Sequence, residues 1–88
     1  MPVPIRNKLY KLQFEKAQDC YVLLYPEGMV KLNPSAAEIL LQVDGVHTVE
    51  AIIDALKRKF PQAPDSISDD IQDFLNEAEN KEWIHYEQ

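Results

Sequence analysis

The 88 residues, 45% hydrophobic and 27% charged, form one domain with one core, which excludes a disordered chain and a deep cleft around a large substrate. No apolar run approaches the roughly 20 residues that span a bilayer, and the start MPVPIRNK lacks a signal-peptide core, so a cytoplasmic protein without a membrane partner is expected. The net charge of −6 is uneven: residues 1–47 balance five basic against five acidic side chains, so the excess lies in residues 48–88, which disfavours nucleic acid and favours a basic peptide or a basic patch on an enzyme.

Residues 1–7 carry two prolines and no periodicity, and read as a flexible N-terminal tail, ordered only if something pairs with it. Residues 8–88 are expected to form the single domain. Tyr10, Leu12 and Phe14 alternate with Lys11, Gln13 and Glu15, the period of a half-buried strand. After a polar turn at Ala17–Asp19, the run Cys20–Tyr25 is apolar on both faces, as a central strand should be. Pro26-Glu27-Gly28 predicts a tight reversal with Gly28 free to take positive φ, and Met29–Leu32 returns as the last strand of a meander.

Asn33-Pro34 starts a helix, since Asn caps first-turn amides and Pro suits the first helical position. Ala36, Ala37, Leu40, Leu41 and Val43 keep helical spacing, Ile39 adds a second apolar side, and Asp44-Gly45 ends the run. Thr48 caps a second helix with Glu50 in its first turn, an apolar stripe of Val49, Ile52, Ile53, Leu56 and Phe60, and Lys57, Arg58 and Lys59 at its C-terminal end, where positive charge offsets the helix dipole. Pro61–Pro64 is a loop. Ser66 with Asp69 reads as the cap and acidic first turn of a third helix with Ile67, Ile71, Phe74, Leu75 and Ala78 as its apolar members, and Trp83, Ile84 and Tyr86 close the chain as a short extended piece. The fold class is α+β: a three-stranded antiparallel sheet followed by three helices in a winged-helix-like arrangement.

No constellation carries catalysis. His47 and His85 stand apart with no ligand at metal spacing, so no metal or cofactor is expected. Ser35, Thr48, Ser66 and Ser68 sit where caps belong rather than beside a base, and Gly28 and Gly45 are isolated turn residues rather than a phosphate loop. The single Cys20 reads as a half-buried thiol.

Two features have open readings. Asp69, Asp73 and Glu77, with Asp70 beside them, repeat like charge at i, i+4. They form either a solvated face or an electrostatic lip that steers a basic partner past Ile71, Phe74 and Leu75. The third strand ends the meander, so Lys31 either protects an open edge or marks the place where an added strand pairs.

The stretch Leu23–Phe60, LLYPEGMVKLNPSAAEILLQVDGVHTVEAIIDALKRKF, contains YPEGM, KLN followed by small residues, VDG and AII, and FP and a late WI follow at matching spacing. This ordered set resembles the small peptide-recognition domains that accompany radical enzymes, the RiPP recognition elements, and more closely the PqqD family of pyrroloquinoline quinone (PQQ) biosynthesis. The resemblance implies that a PqqA-like precursor peptide adds as a strand along Met29, Val30, Lys31 and Leu32, in a groove walled by Asp70, Ile71, Phe74, Leu75 and Ala78. It also implies delivery of that peptide to a PqqE-like radical S-adenosylmethionine enzyme, with this chain as chaperone or adaptor and not as catalyst. A winged-helix DNA-binding protein would share the element order, but its recognition helix should be basic, whereas Asp65–Glu82 holds seven acidic residues against Lys81 alone. A small structural subunit without a peptide ligand is the blander alternative, and monomer or dimer is left open.

Overall fold

The computed structural model describes residues 2–87. Five strands and three helices follow in the order β1 (Val3–Arg6), β2 (Lys11–Glu15), β3 (Cys20–Tyr25), β4 (Gly28–Lys31), α1 (Pro34–Leu41), α2 (Val49–Lys59), α3 (Ile67–Asn80) and β5 (Ile84–Glu87). The three-stranded antiparallel sheet has the order β2-β3-β4, and β1 pairs with β5 in a separate two-stranded ribbon. The α+β fold expected from the sequence is therefore present, with the ribbon added.

Period-two alternation sorts the sheet into two faces. Leu12, Leu23 and Val30 stand side by side across the three strands, and on this face Leu23 joins the core with Leu40, Ile52, Leu56, Ile71 and Leu75. On the other face Val22 lies in register between Gln13 and Lys31. Asn33 caps α1 by accepting a hydrogen bond from the Ala36 amide at 2.8 Å, and Thr48 caps α2 by accepting from the Ala51 amide at 3.1 Å, each satisfying a donor that helix geometry leaves free.

Several expectations are corrected. Residues 3–6 are not a tail: the partner they needed is the chain's own last strand, with Pro4 opposite Tyr86 and Ile5 opposite His85. Asn7 fastens this ribbon, donating from its backbone amide to the Trp83 carbonyl at 2.9 Å and from Nδ2 to the Glu82 carbonyl at 2.8 Å. Gly45, not Gly28, takes positive φ; what Gly28 supplies is room, since a Cβ there would stand 3.3 Å from the Tyr25 hydroxyl oxygen. Leu41 turns to solvent while Ile39 is buried. Ser66 makes no side-chain cap, because its own backbone is already helical at φ −65° and ψ −5°. Glu82 takes φ 64° after α3, in a Schellman closure in which the Trp83 amide donates to Ala78 and the Glu82 amide to Glu79.

Candidate binding site

The edge strand β4 is built outward from β3. The Leu32 amide donates to the Tyr21 carbonyl at 3.0 Å, which makes Tyr21 and Leu32 a hydrogen-bonded antiparallel pair. Because such pairs alternate along a ladder, Leu23 with Val30 and Tyr25 with Gly28 are also bonded pairs. The N–H and C=O groups of Met29 and Lys31 therefore point away from β3, and no strand among the described residues pairs with them. By the same alternation Leu12 and Phe14 face outward on β2, so the sheet has a second open edge.

The candidate residues divide by burial. On β4, Met29 and Lys31 are exposed and Val30 is half-buried against the core, and Leu32, just past the strand's end, is buried. On α3, Ile71, Leu75 and Ala78 are core side chains closed to solvent, leaving half-buried Phe74 and exposed Asp70 as the members a partner can touch directly. Phe74 packs towards Trp83 with ring centroids 6.4 Å apart, and the Lys81 ammonium sits 5.0 Å from the centre of the Trp83 ring, within cation–π range.

The acidic row is fully displayed, since Asp69, Asp70, Asp73 and Glu77 are all exposed. At about 100° per residue, Asp70 and Glu77 lie roughly 40° and 60° from Phe74 around the helix, and Asp73 and Asp69 roughly 100° and 140°. Asp70, placed with the groove wall rather than with the acidic row in the sequence reading, is the carboxylate nearest the apolar flank. Glu77 is partly offset by Lys81 at 3.3 Å.

A concavity of about 790 Å³ opens between the first turns of α1, the end of α2 and the start of α3. Of the nine residues expected to form the peptide site, only Asp70 and Ile71 line it. The other walls are Pro34 and Ile39 of α1, Leu56 and Phe60 at the end of α2, and the Pro61–Pro64 loop. Sequence reasoning missed these residues because Phe60 counts as the last member of the α2 stripe. Its signal was an apolar side chain set between a basic helix end and a proline, and it is 40% exposed. Lys59 and Glu38 close the rim with an ion pair at 2.7 Å.

Away from this edge, a second hollow of about 580 Å³ is lined in part by Arg6, Lys8, Lys11 and Leu12 beside β2. In the loop after α1, the Asp44 carboxylate accepts hydrogen bonds from the His47 and Val46 amides at 3.0 and 2.9 Å and pairs with the His47 ring at 2.8 Å. The two amide bonds hold its carboxyl below the usual carboxylate range. Among the described residues no group of three or more His, Cys, Asp or Glu could hold a metal ion, and no helix is long and apolar enough to cross a membrane.

Comparison with known proteins places this geometry in a family. The profile of the family described as "Coenzyme PQQ synthesis protein D (PqqD)" matches residues 20–84. The chain is 55% identical over 82 residues to a PqqA binding protein of Pseudomonas paraeruginosa, covering 93% of this chain and 88% of that one. It is 49% identical over 83 residues to a PqqA binding protein of Rahnella aquatilis, covering 94% and 86%. Among solved structures it is similar to the PqqD part of Methylobacterium extorquens PqqCD, described as a functional, stand-alone RiPP recognition element. That likeness has a TM-score of 0.76 at 30% identity and covers 94% of this chain and 88% of that one. PqqD from Xanthomonas campestris gives a TM-score of 0.59 at 25% identity, covering 90% and 88%.

Proposed function

The chain belongs to the PqqD family, and on that premise we propose that it binds the ribosomally made, PqqA-like precursor peptide of PQQ by strand addition along Met29–Leu32. The observation that carries this reading is the outward direction of the Met29 and Lys31 backbone, which offers two donors and two acceptors in strand geometry. Backbone pairing supplies affinity in such complexes, and the flanking side chains supply selectivity. Val30 and Phe74 are half-buried apolar groups packed against the core, to which Ile71, Leu75 and Ala78 belong, and in this proposal they flank the bound peptide. Asp70, Asp73 and Glu77, with Asp69 further round the helix, attract a basic segment during encounter.

In this reading the domain spans residues 2–87 with the β1–β5 ribbon as part of it, and acts as a chaperone in the cytoplasm. It holds the precursor extended and presents it to a PqqE-like radical S-adenosylmethionine enzyme, which performs the chemistry. The relatives named as PqqA binding proteins support the peptide half of the proposal. The acidic α3 speaks against the winged-helix DNA-binding alternative, since phosphates would be repelled.

Isothermal titration of the folded chain with a synthetic precursor peptide, with and without a strong chelator, tests the reading. Saturable binding with the same affinity in both is expected, because main-chain groups need no metal. Absence of binding, or its loss in chelator, would refute it.

A further inference from the structure

Resting on the strand-addition reading, we infer that Lys31 selects an acidic residue in the bound peptide, within a three-residue pattern of acidic, apolar, apolar. An antiparallel strand added at β4 places three consecutive residues opposite Lys31, Val30 and Met29 in that order. The residues opposite Lys31 and Met29 each exchange two hydrogen bonds with the outward-facing backbone, and the middle residue makes none. Directly opposed residues project to the same face of a sheet. The middle side chain therefore lies on the helix face beside half-buried Val30, and its two neighbours lie on the opposite face beside Lys31 and Met29.

Lys31 is the only charged residue of β4. Its neighbours across the sheet are Val22 and then Gln13, neither of them acidic, and it makes no ion pair among the described residues. A peptide carboxylate opposite it thus meets a cation with no competing partner. Met29 is 40% exposed and stands beside Leu24 on the same face, which suits an apolar third residue.

A charge scan tests this assignment. Each Asp and Glu of the PqqA-like precursor peptide is changed singly to Lys and titrated against the wild-type chain, Lys31→Glu and Lys31→Pro, all checked for folding by circular dichroism. One position is expected at which Lys weakens binding to the wild type by roughly two- to fivefold, the range of a cross-strand charge pair, and at which Lys31→Glu restores it. Two residues further along the peptide an apolar side chain is expected. If no position is restored while Lys31→Pro still abolishes binding, acidic selection by Lys31 is wrong and strand addition stands. If Lys31→Pro binds like the wild type, both fall.

Discussion

Val30 pairs directly with Leu23 across β3 and β4, and this pairing decides which backbone groups the molecule keeps and which it offers. The Val30 amide belongs to the sheet. The Lys31 amide, one residue on, belongs to whatever docks at the edge.

Proline substitutions should separate the two roles. Lys31→Pro removes an outward donor at a position where an edge strand tolerates proline, so the fold should survive and peptide affinity should fall about tenfold or more, as for a lost hydrogen bond with its partner left unmet. Lys31→Ala should cost no more than about fivefold, because it removes only the side chain. Val30→Pro breaks the bond to Leu23 and should destabilise the domain itself by about 1–3 kcal/mol. Calorimetry and chemical denaturation check the three; equal peptide affinities for Lys31→Pro and Lys31→Ala would place the peptide elsewhere.

The carboxylates beside Phe74 should act on capture rather than on retention. Neutralising Asp70 and Asp73 together (both to Asn) should slow association at low salt and flatten its salt dependence, since exposed charges steer over a Debye length of about 8–10 Å. Asp69→Asn, on the far side of the helix, should have the smaller effect. Phe74→Ala should instead speed dissociation. Stopped-flow traces with an unchanged association rate for the double variant would leave the row as a solvated face.

The N-terminal strand should contribute to stability. Removing residues 2–6 takes away the partner of β5, whose Ile84 is only 1% exposed, and should lower the unfolding midpoint far more than loss of a tail would. Asn7→Ala should cost about 1 kcal/mol through its hydrogen bonds to Glu82 and Leu9. Glu82→Gly should raise stability by about 0.5–1 kcal/mol, because a left-handed conformation costs a side-chain-bearing residue more than it costs glycine.

Asp44 should make a small pH-dependent contribution. Its carboxyl is held below the usual value of 3.8 by the His47 and Val46 amides, so its stabilising effect is present above that value and fades as pH falls through the lowered one. The side chain is well exposed, and solvent screening keeps the effect modest. Asp44→Asn should melt below the wild type at neutral pH, and the two should converge as pH falls below the usual carboxylate range; a gap that stays constant on acidification would assign the effect to shape rather than charge.

Local chemistry was readable from the sequence, and chain-distant pairing was not. Asn33 and Thr48 cap as expected because the acceptor and the amide it serves lie three residues apart. The ribbon joins residues 78 to 84 positions apart, and prolines at residues 2 and 4 disguised its first strand. The end of α3 uses Glu82 where glycine is usual, so composition could not mark it. In the candidate site, the edge strand followed from its place in the meander, but the division of α3 into a closed floor and an open flank required knowing which side packs inward. The groove at Phe60 required knowing that α2 ends beside the start of α3.

Amide hydrogen exchange read residue by residue, with and without the precursor peptide, tests strand addition at β4 most directly. The Met29 and Lys31 amides, which pair with no strand among the described residues, should become strongly protected on binding, while those of Leu12 and Phe14 on the opposite edge keep their rates. Protection at Leu12 and Phe14 with Met29 and Lys31 unchanged would contradict it.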